Sequence, residues 1–470
     1  MSHGRYVYVH TFGCQMNVYD TERMLEAMGS IDYTPTDSPE RADLILLNTC
    51  SVREKAEDKA FSMLGRYALL RENNPDLILG LGGCMATRMK EKLFKRGLPL
   101  DIVFGPDNIT ELPTLVQDVS NRREARAHSV RFLPRSQYEF PTAAAPTDNR
   151  VASMVTVMKG CNKFCSFCIV PTTRGREVSK PPQQVVEETR TLVKAGVREV
   201  MLLGQNVNSY GHDLKRTGTD VSFADLLAMV NDVDGLYRIR FTTSHPWDAT
   251  EALARAFRDL PKVCPYLHLP LQSGSDPVLE NMKRGYTLET YLELVARLRS
   301  YRPDIALSTD IIVGFPGETE ADFQKTLDAI ETIRFDSLFI FKYSVRPGTP
   351  AAELEDDVPP EIKQERLERV LEMQNEITRD SLANYVGKTV EILVEGFADR
   401  PAPGGTSLQL KGRTDSNVIV NVDVGVQIKN PWELVGTLLP VEITKARKHS
   451  LAGQPVNPHR SHATQTCASY

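Results

Sequence analysis

The sequence predicts an α/β protein in three parts. A doubly wound parallel sheet comes first, then a partial barrel of six strand–helix units, then a small all-β barrel of oligonucleotide-binding size. Three observations carry this. Short Val/Ile/Leu-rich runs alternate with helical patterns up to residue 120, and the alternation resumes at Val151. After one long amphipathic helix only strand patterns remain. The length, 470 residues, agrees with about three domains.

In the first part, residues 1–120, the runs Arg5–Thr11, Asp43–Asn48, Asp76–Gly82 and Asp101–Phe104 read as buried parallel strands. Helical stretches lie between them at Asp20–Met28, Glu54–Leu70, Arg88–Arg96 and Ile109–Val119. Residues 121–150 read as a linker, in which Arg122, Arg123, Arg126, Arg131 and Arg135 precede an Ala/Pro/Thr stretch, Pro141–Thr147. That basic run reads first as a solvated linker and second as an RNA phosphate contact. The middle part, residues 151–380, has strand runs at Val151–Met158, Glu199–Leu203, Arg238–Thr242, Tyr266–Pro270, Ile305–Val313 and Ser337–Tyr343, with helical patterns between. Six such units favour a barrel whose chemistry gathers at the carboxyl ends of its strands. Pro359 and Pro360 open an amphipathic helix reaching Asp380; alternating strands follow over residues 381–445, and the polar stretch 446–470 reads as a disordered tail.

Composition narrows the class. Hydrophobic residues make up 41% and charged residues 25%, which excludes a disordered chain, a coiled coil or a collagen-like repeat. No apolar run approaches the ~18 residues of a membrane span, and the amino terminus runs directly into a strand, so a cytoplasmic protein is expected. With a net charge of -5 and a pI of about 6.1, any polyanionic partner must meet a local basic patch. Eight cysteines are too few for a disulfide scaffold.

Six of those cysteines point to metal chemistry. Gly160-Cys-Asn-Lys-Phe-Cys-Ser-Phe-Cys168 has the spacing Cys-x3-Cys-x2-Cys just past the first barrel strand. Three thiolates leave a structural zinc one ligand short, unless a distant Cys or His is borrowed. They suit a cubane iron–sulfur cluster with one iron left open, which Phe164 and Phe167 would shield from water. Cys14, Cys50 and Cys84 each follow a strand of the first sheet, and the carboxyl ends of parallel strands share one edge. They would meet there, with Gly13, Gly82 and Gly83 allowing tight turns; the alternative is three unrelated core cysteines. Cys264 and Cys467 belong to neither set and read as bystanders.

The triplet resembles the signature of the radical S-adenosylmethionine enzymes, in which the open iron holds the cofactor's amino and carboxylate groups and one electron splits its sulfonium bond. Thr11-Phe-Gly-Cys-Gln-Met-Asn17, Asn48-Thr-Cys-Ser-Val-Arg53 and Gly82-Gly-Cys-Met-Ala86 resemble the amino-terminal domain of the methylthiotransferases. The similarity continues in His268-Leu-Pro-Leu-Gln-Ser-Gly-Ser-Asp276, in Ser308-Thr-Asp-Ile-Ile-Val-Gly-Phe-Pro-Gly-Glu318 and in Tyr343-Ser-Val-Arg-Pro-Gly-Thr-Pro350. Gly412-Arg-Thr-Asp-Ser-Asn417 resembles the family's carboxy-terminal RNA-binding TRAM barrel.

The resemblance implies two 4Fe-4S clusters, one on Cys161, Cys165 and Cys168, and an auxiliary one on Cys14, Cys50 and Cys84 that carries the sulfur to be inserted. The Gln-Met-Asn after Cys14, the Gly-Cys-Met-Ala at Cys84 and Leu203-Gly-Gln-Asn-Val-Asn-Ser-Tyr210 resemble the branch that methylthiolates carbon 2 of isopentenyladenosine beside the tRNA anticodon. Branches acting on threonylcarbamoyladenosine or on a ribosomal-protein aspartate are the alternative. Thr172 departs from the pattern, which has an aromatic residue there. The implied partners are a tRNA anticodon loop, a reductant such as flavodoxin or ferredoxin, and a sulfur donor, with the chain acting as a monomer. Strand-end polar residues are the expected holders of S-adenosylmethionine: Gln205, Ser244, Gln272, Ser273 and Asp310. Each is equally suited to capping or turn formation. His245 and His268 read as structural, and Lys411 and Arg413 as candidate phosphate contacts.

Overall fold

A computed structural model describes residues 4–51, 54–90, 92–121, 126–141, 148–398, 408–424 and 430–456. Residues 142–147 of the expected linker, Arg122, Arg123 and Cys467 lie outside them.

The first sheet contains β1 (Arg5–Thr11), β2 (Tyr33–Pro35), β3 (Leu44–Thr49), β4 (Ile78–Gly83), β5 (Ile102–Phe104) and β6 (Ala127–Ser129), in the order β2-β1-β3-β4-β5-β6 and parallel throughout. Alternate residues of β3 face opposite ways, and each face has its own core. Ile45 and Leu47 join Leu79, Leu81 and Val103 on one side. Leu44 and Leu46 join Ile78, Ile102 and Phe104 on the other. Helices cover both faces, so the strands read as unbroken apolar runs. β2 and β6 are three-residue edge strands. The second corrects the linker boundary: pairing with β5 brings Ala127–Ser129 into the sheet.

The central part begins with β7 (Ala152–Thr156), followed by the antiparallel pair β8 (Met158–Lys159) and β9 (Val178–Ser179). Then come β10 (Glu199–Leu203), β11 (Arg238–Thr242), β12 (Tyr266–His268), β13 (Ala306–Val313) and β14 (Ser337–Lys342). β7-β10-β11 and β12-β13-β14 form two parallel three-stranded halves, joined by a bridge between Ile239 and Val263. One core spans both halves, from Val155 and Val200 through Ile239 and Leu267 to Leu307 and Phe335.

After the helix Pro360–Ala383, strands β15 (Thr389–Phe397), β16 (Gln409–Thr414), β17 (Ile419–Asp423), β18 (Leu438–Ala446) and β19 (Leu451–Pro455) close a barrel in the order β15-β16-β17-β19-β18. β19 corrects the expectation of a tail beginning at 446. It closes the barrel by pairing with β17 and β18, burying Leu451 completely, and a Cβ at Gly453 would lie 2.5 Å from Glu442 O. The barrel docks through backbone carbonyls. Arg240 donates to Thr414 O and Asp415 O (both 2.7 Å) and pairs with Glu199 at 2.9 Å. Arg238 donates to Arg413 O (2.6 Å) and Glu391 O (3.2 Å). Glu199 and Arg238 begin β10 and β11, so this barrel sits at the amino ends of the central strands. No described helix is long and apolar enough to cross a membrane.

Candidate functional site

The strand order of the first sheet reverses between β1 and β3, and at such a switch point the carboxyl ends of the strands open a crevice. Cys14 caps the helix Gln15–Gly29 after β1, Cys50 follows β3, and Cys84 starts the helix Cys84–Met89 directly after β4. Two glycines let these turns approach. Gly13, at φ 120, would carry a Cβ 3.3 Å from Cys50 Sγ. Gly83, at φ 92, would carry one into Thr49 O. A buried amide pair stitches the edge together: Asn17 Nδ2 donates to Thr49 O (3.0 Å) and Asn48 Nδ2 to Asn17 O (2.7 Å). The sequence-predicted trio is thus drawn to one edge.

The second trio sits on the loop between β8 and β9. Gly160 has φ 72, and a Cβ there would collide with Arg176 O, so only glycine permits the turn into Cys161. Gly160→Ala is expected to lower stability by ~1–3 kcal/mol and to loosen this loop; a melting curve together with bound iron per chain checks it. Cys161 N–H donates to Gly175 O (3.1 Å) and Cys168 N–H to Cys165 O (3.0 Å). Cys165 Sγ accepts from Arg284 Nη1 at 3.3 Å. His245 lies 4.0 Å away on its other side. Burial, reinforced by the charges of Arg284 and Lys163, lowers the His245 pKa to about 2, so the ring is neutral. Its Nδ1 accepts the Trp247 N–H at 3.2 Å, which leaves the proton on Nε2, aimed at Cys165.

Arg174 joins the two sites. It follows the short helix Val170–Thr173 behind Cys168, is buried, and donates through Nε to Cys84 Sγ (3.2 Å) and through Nη2 to Asn17 Oδ1 (3.2 Å). An ion pair with Asp20 at 2.6 Å completes its fork. Adjacent residues, Arg174 and Gly175, therefore contact Cys84 of one trio and Cys161 of the other. Met16, just after Cys14, packs against Leu203 at the end of β10, so the two strand-end edges face each other.

Burial pushes the Cys84 thiol upward against the charge of Arg174, and pushes Cys161 to about 12. Ligation to iron deprotonates such thiols outright, and guanidinium donors aimed at Cys84 and Cys165 suit thiolate sulfurs. Among the described residues no three His, Cys, Asp or Glu side chains converge as ligands of a single ion would. A cubane cluster is held by cysteine thiolates. The donor set fits such a cluster.

The residues expected to hold S-adenosylmethionine divide. Gln205 Nε2, Ser244 Oγ and Gln272 Oε1 are buried with no hydrogen-bond partner, all just beyond the carboxyl ends of β10, β11 and β12. Unpartnered buried polar atoms are costly, and three in one strand-end cradle fit a polar ligand. Gln272 also sits at φ 74 and Thr243 at φ 68, strained backbone of the kind found at binding sites. Asp310 is half-buried with His268 Nε2 at 3.5 Å. Ser273 is engaged differently: its hydroxyl meets Thr326 Oγ1 (3.4 Å) and accepts the Ser275 N–H (3.2 Å), the geometry of a turn former. Thr172 is exposed and bonds Ile169 O (2.8 Å) within its own short helix, so the absent aromatic ring costs no core packing. Arg174 and Arg284 were not singled out from sequence; a loop arginine has no periodic signature. Cys264 is buried beside Arg240 at the opposite end of the barrel.

Comparison with known proteins follows the same divisions. Residues 155–330 match the Radical SAM superfamily, residues 6–105 match the Uncharacterized protein family UPF0004, and residues 383–456 match the TRAM domain. A tRNA-2-methylthio-N(6)-dimethylallyladenosine synthase from Myxococcus xanthus is 48% identical over 453 residues, covering 96% of this chain and 94% of its own. One from Chromohalobacter salexigens is 45% identical over 456 residues, covering 97% and 99%. The chain belongs to the tRNA-2-methylthio-N(6)-dimethylallyladenosine synthase family. A radical S-adenosylmethionine methyltransferase from Kitasatospora setae has a TM-score of 0.55 at 15% identity over 74% of this chain and 75% of its own, which shows a shared fold. Membership of the radical S-adenosylmethionine superfamily brings S-adenosylmethionine and a 4Fe-4S cluster as cofactors.

Proposed function

We propose that this member of the synthase family methylthiolates carbon 2 of N6-isopentenyladenosine next to the anticodon of tRNA, using one 4Fe-4S cluster on each cysteine trio. The facing of the two trios across Arg174 carries the reading. When bound, the cluster of Cys161, Cys165 and Cys168 with S-adenosylmethionine supplies a radical that removes hydrogen from carbon, and the cluster of Cys14, Cys50 and Cys84 supplies the sulfur. The chain's own residues do the rest. Gln205, Ser244, Gln272 and Asp310 hold the cofactor. Arg284 and His245 hold the Cys165 sulfur, and Arg174 holds that of Cys84.

Carbon 2 lies on the adenine edge, so the base must leave the anticodon-loop stack to reach between the trios. The carboxy-terminal barrel grips the tRNA body. Of its candidate phosphate contacts, Arg413 is held by Glu395 at 2.9 Å and by Asn417 Oδ1 at 3.4 Å, which weakens its candidacy. In the linker, Arg131 pairs with Glu111 (2.8 Å) and Arg135 with Asp213 (2.7 Å), so both fasten the chain to its neighbours. A reductant such as flavodoxin or ferredoxin and a separate sulfur donor serve the enzyme, which acts as a cytoplasmic monomer.

Nucleoside analysis of tRNA from a strain lacking the protein tests the reading. The 2-methylthio derivative of isopentenyladenosine is expected to vanish while its unmethylthiolated precursor accumulates. Disappearance of methylthiolated threonylcarbamoyladenosine instead would assign the chain to another branch.

A further inference from the structure

Three of the exposed large rings among the described residues lie near one another: Phe132 at 45%, Phe164 at 51% and Trp247 at 62%. They come from three separate segments, yet neighbouring residues connect them into one belt beside the Cys161–Cys168 loop. Phe132 lies against Gly175, where a Cβ would be 3.2 Å from the ring. The next residue, Arg176, places its guanidinium 4.4 Å from the centroid of Phe164. Lys163, adjacent to Phe164, has its ammonium 5.4 Å from the Trp247 ring and 3.0 Å from Asp248.

Trp247 is held for presentation rather than for packing. One face of the indole covers Gly285, where a Cβ would come within 2.7 Å of the ring. Its backbone N–H is pinned by His245, the same histidine that lies beside Cys165. Arg176 is exposed, and among the described residues its contact is the Phe164 ring rather than a carboxylate. Aromatic faces alternate with cations along this rim. That pattern suits single-stranded nucleic acid, whose bases stack on rings while its phosphates meet the cations.

We propose that the belt Phe132–Arg176–Phe164–Lys163–Trp247 is the platform on which unpaired anticodon-loop bases flanking the target adenosine stack. This rests on the tRNA reading above and assigns the residues that keep the loop splayed at the mouth of the site. The structural reason is position: the small carboxy-terminal barrel docks at the amino ends of the central strands, away from the cysteine loop, so the anticodon loop needs a separate grip.

The chain has two tryptophans, Trp247 and Trp432, so Trp432→Phe leaves one reporter at the rim. Titrating the reconstituted single-tryptophan holoenzyme with a synthetic anticodon stem-loop carrying isopentenyladenosine is expected to quench Trp247 fluorescence. In the parent background, Trp247→Ala and Phe164→Ala are each expected to raise the stem-loop Kd ~10-fold or more, with Trp247→Phe restoring most of it. Abasic nucleotides beside the target should weaken the parent and leave Trp247→Ala little changed. Melting curves matching the parent exclude misfolding, and Trp247→Phe supplies the folded control. Unchanged fluorescence with both alanine variants binding like the parent would overturn the platform alone. A parent that does not bind the stem-loop would overturn the tRNA reading, and the platform with it.

Discussion

Cys161→Ala is expected to abolish 5′-deoxyadenosine formation from S-adenosylmethionine under dithionite, whereas Cys50→Ala should leave that cleavage intact and stop the methylthio product. The two cysteines lie in different trios on different domains. Cys161 opens the loop that leads to the unpartnered polar atoms of Gln205, Ser244 and Gln272. Cys50 follows β3 on the edge of the first sheet, where Asn17 bonds the neighbouring Thr49 O and Arg174 bonds Asn17. Removing one set of ligands should therefore spare the other. Iron analysis gives an independent reading: about eight irons per parent chain and about four in each variant. Sulfur transfer by Cys50→Ala at the parent rate would sink the division of roles.

Arg174→Met is expected to produce the largest loss of stability of any single replacement at the site. Asp20 is buried, and burial pushes its carboxyl pKa up while Arg174 opposes the shift. Without the guanidinium, Asp20 loses its partner in a low-dielectric interface and must either stay charged and unpaired or take up a proton, at a cost of up to ~3–5 kcal/mol. Cys84 Sγ and Asn17 Oδ1 lose their donors at the same time. The melting transition of the amino-terminal half should fall by ~10 °C. The double variant Arg174→Met/Asp20→Leu should recover most of that loss, because it removes both charges together. Arg174→Lys should rescue only in part, since an ammonium cannot reach Cys84, Asn17 and Asp20 in the fixed fork of a guanidinium. A melting curve unchanged in Arg174→Met would show that the pair contributes nothing.

Residue patterns alone placed much of this protein. Cys14, Cys50 and Cys84 fall on one sheet edge because parallel strands all end on the same side, and buried strands announce themselves as runs such as Leu44–Thr49. Cys161, Cys165 and Cys168 share one loop between β8 and β9, as their close spacing requires. The short pieces were harder to read. β2 and β6 hold three residues each, too few for a period to show. β19, Leu451-Ala-Gly-Gln-Pro455, looks polar along the chain, and pairing on both sides makes it a strand.

Chain-local information therefore determined the order of the domains and the strand-end positions of the early cysteines, because periodicity, spacing and strand-end position are all properties of neighbours in sequence. Only the folded molecule decided which cations meet those sulfurs, that Ser273 is occupied while Gln272 is not, and that rings from three segments share one rim. Those relations join residues as far apart as Cys84 and Arg174 or Cys165 and Arg284, and such contacts exist only once packing has brought distant stretches of chain together.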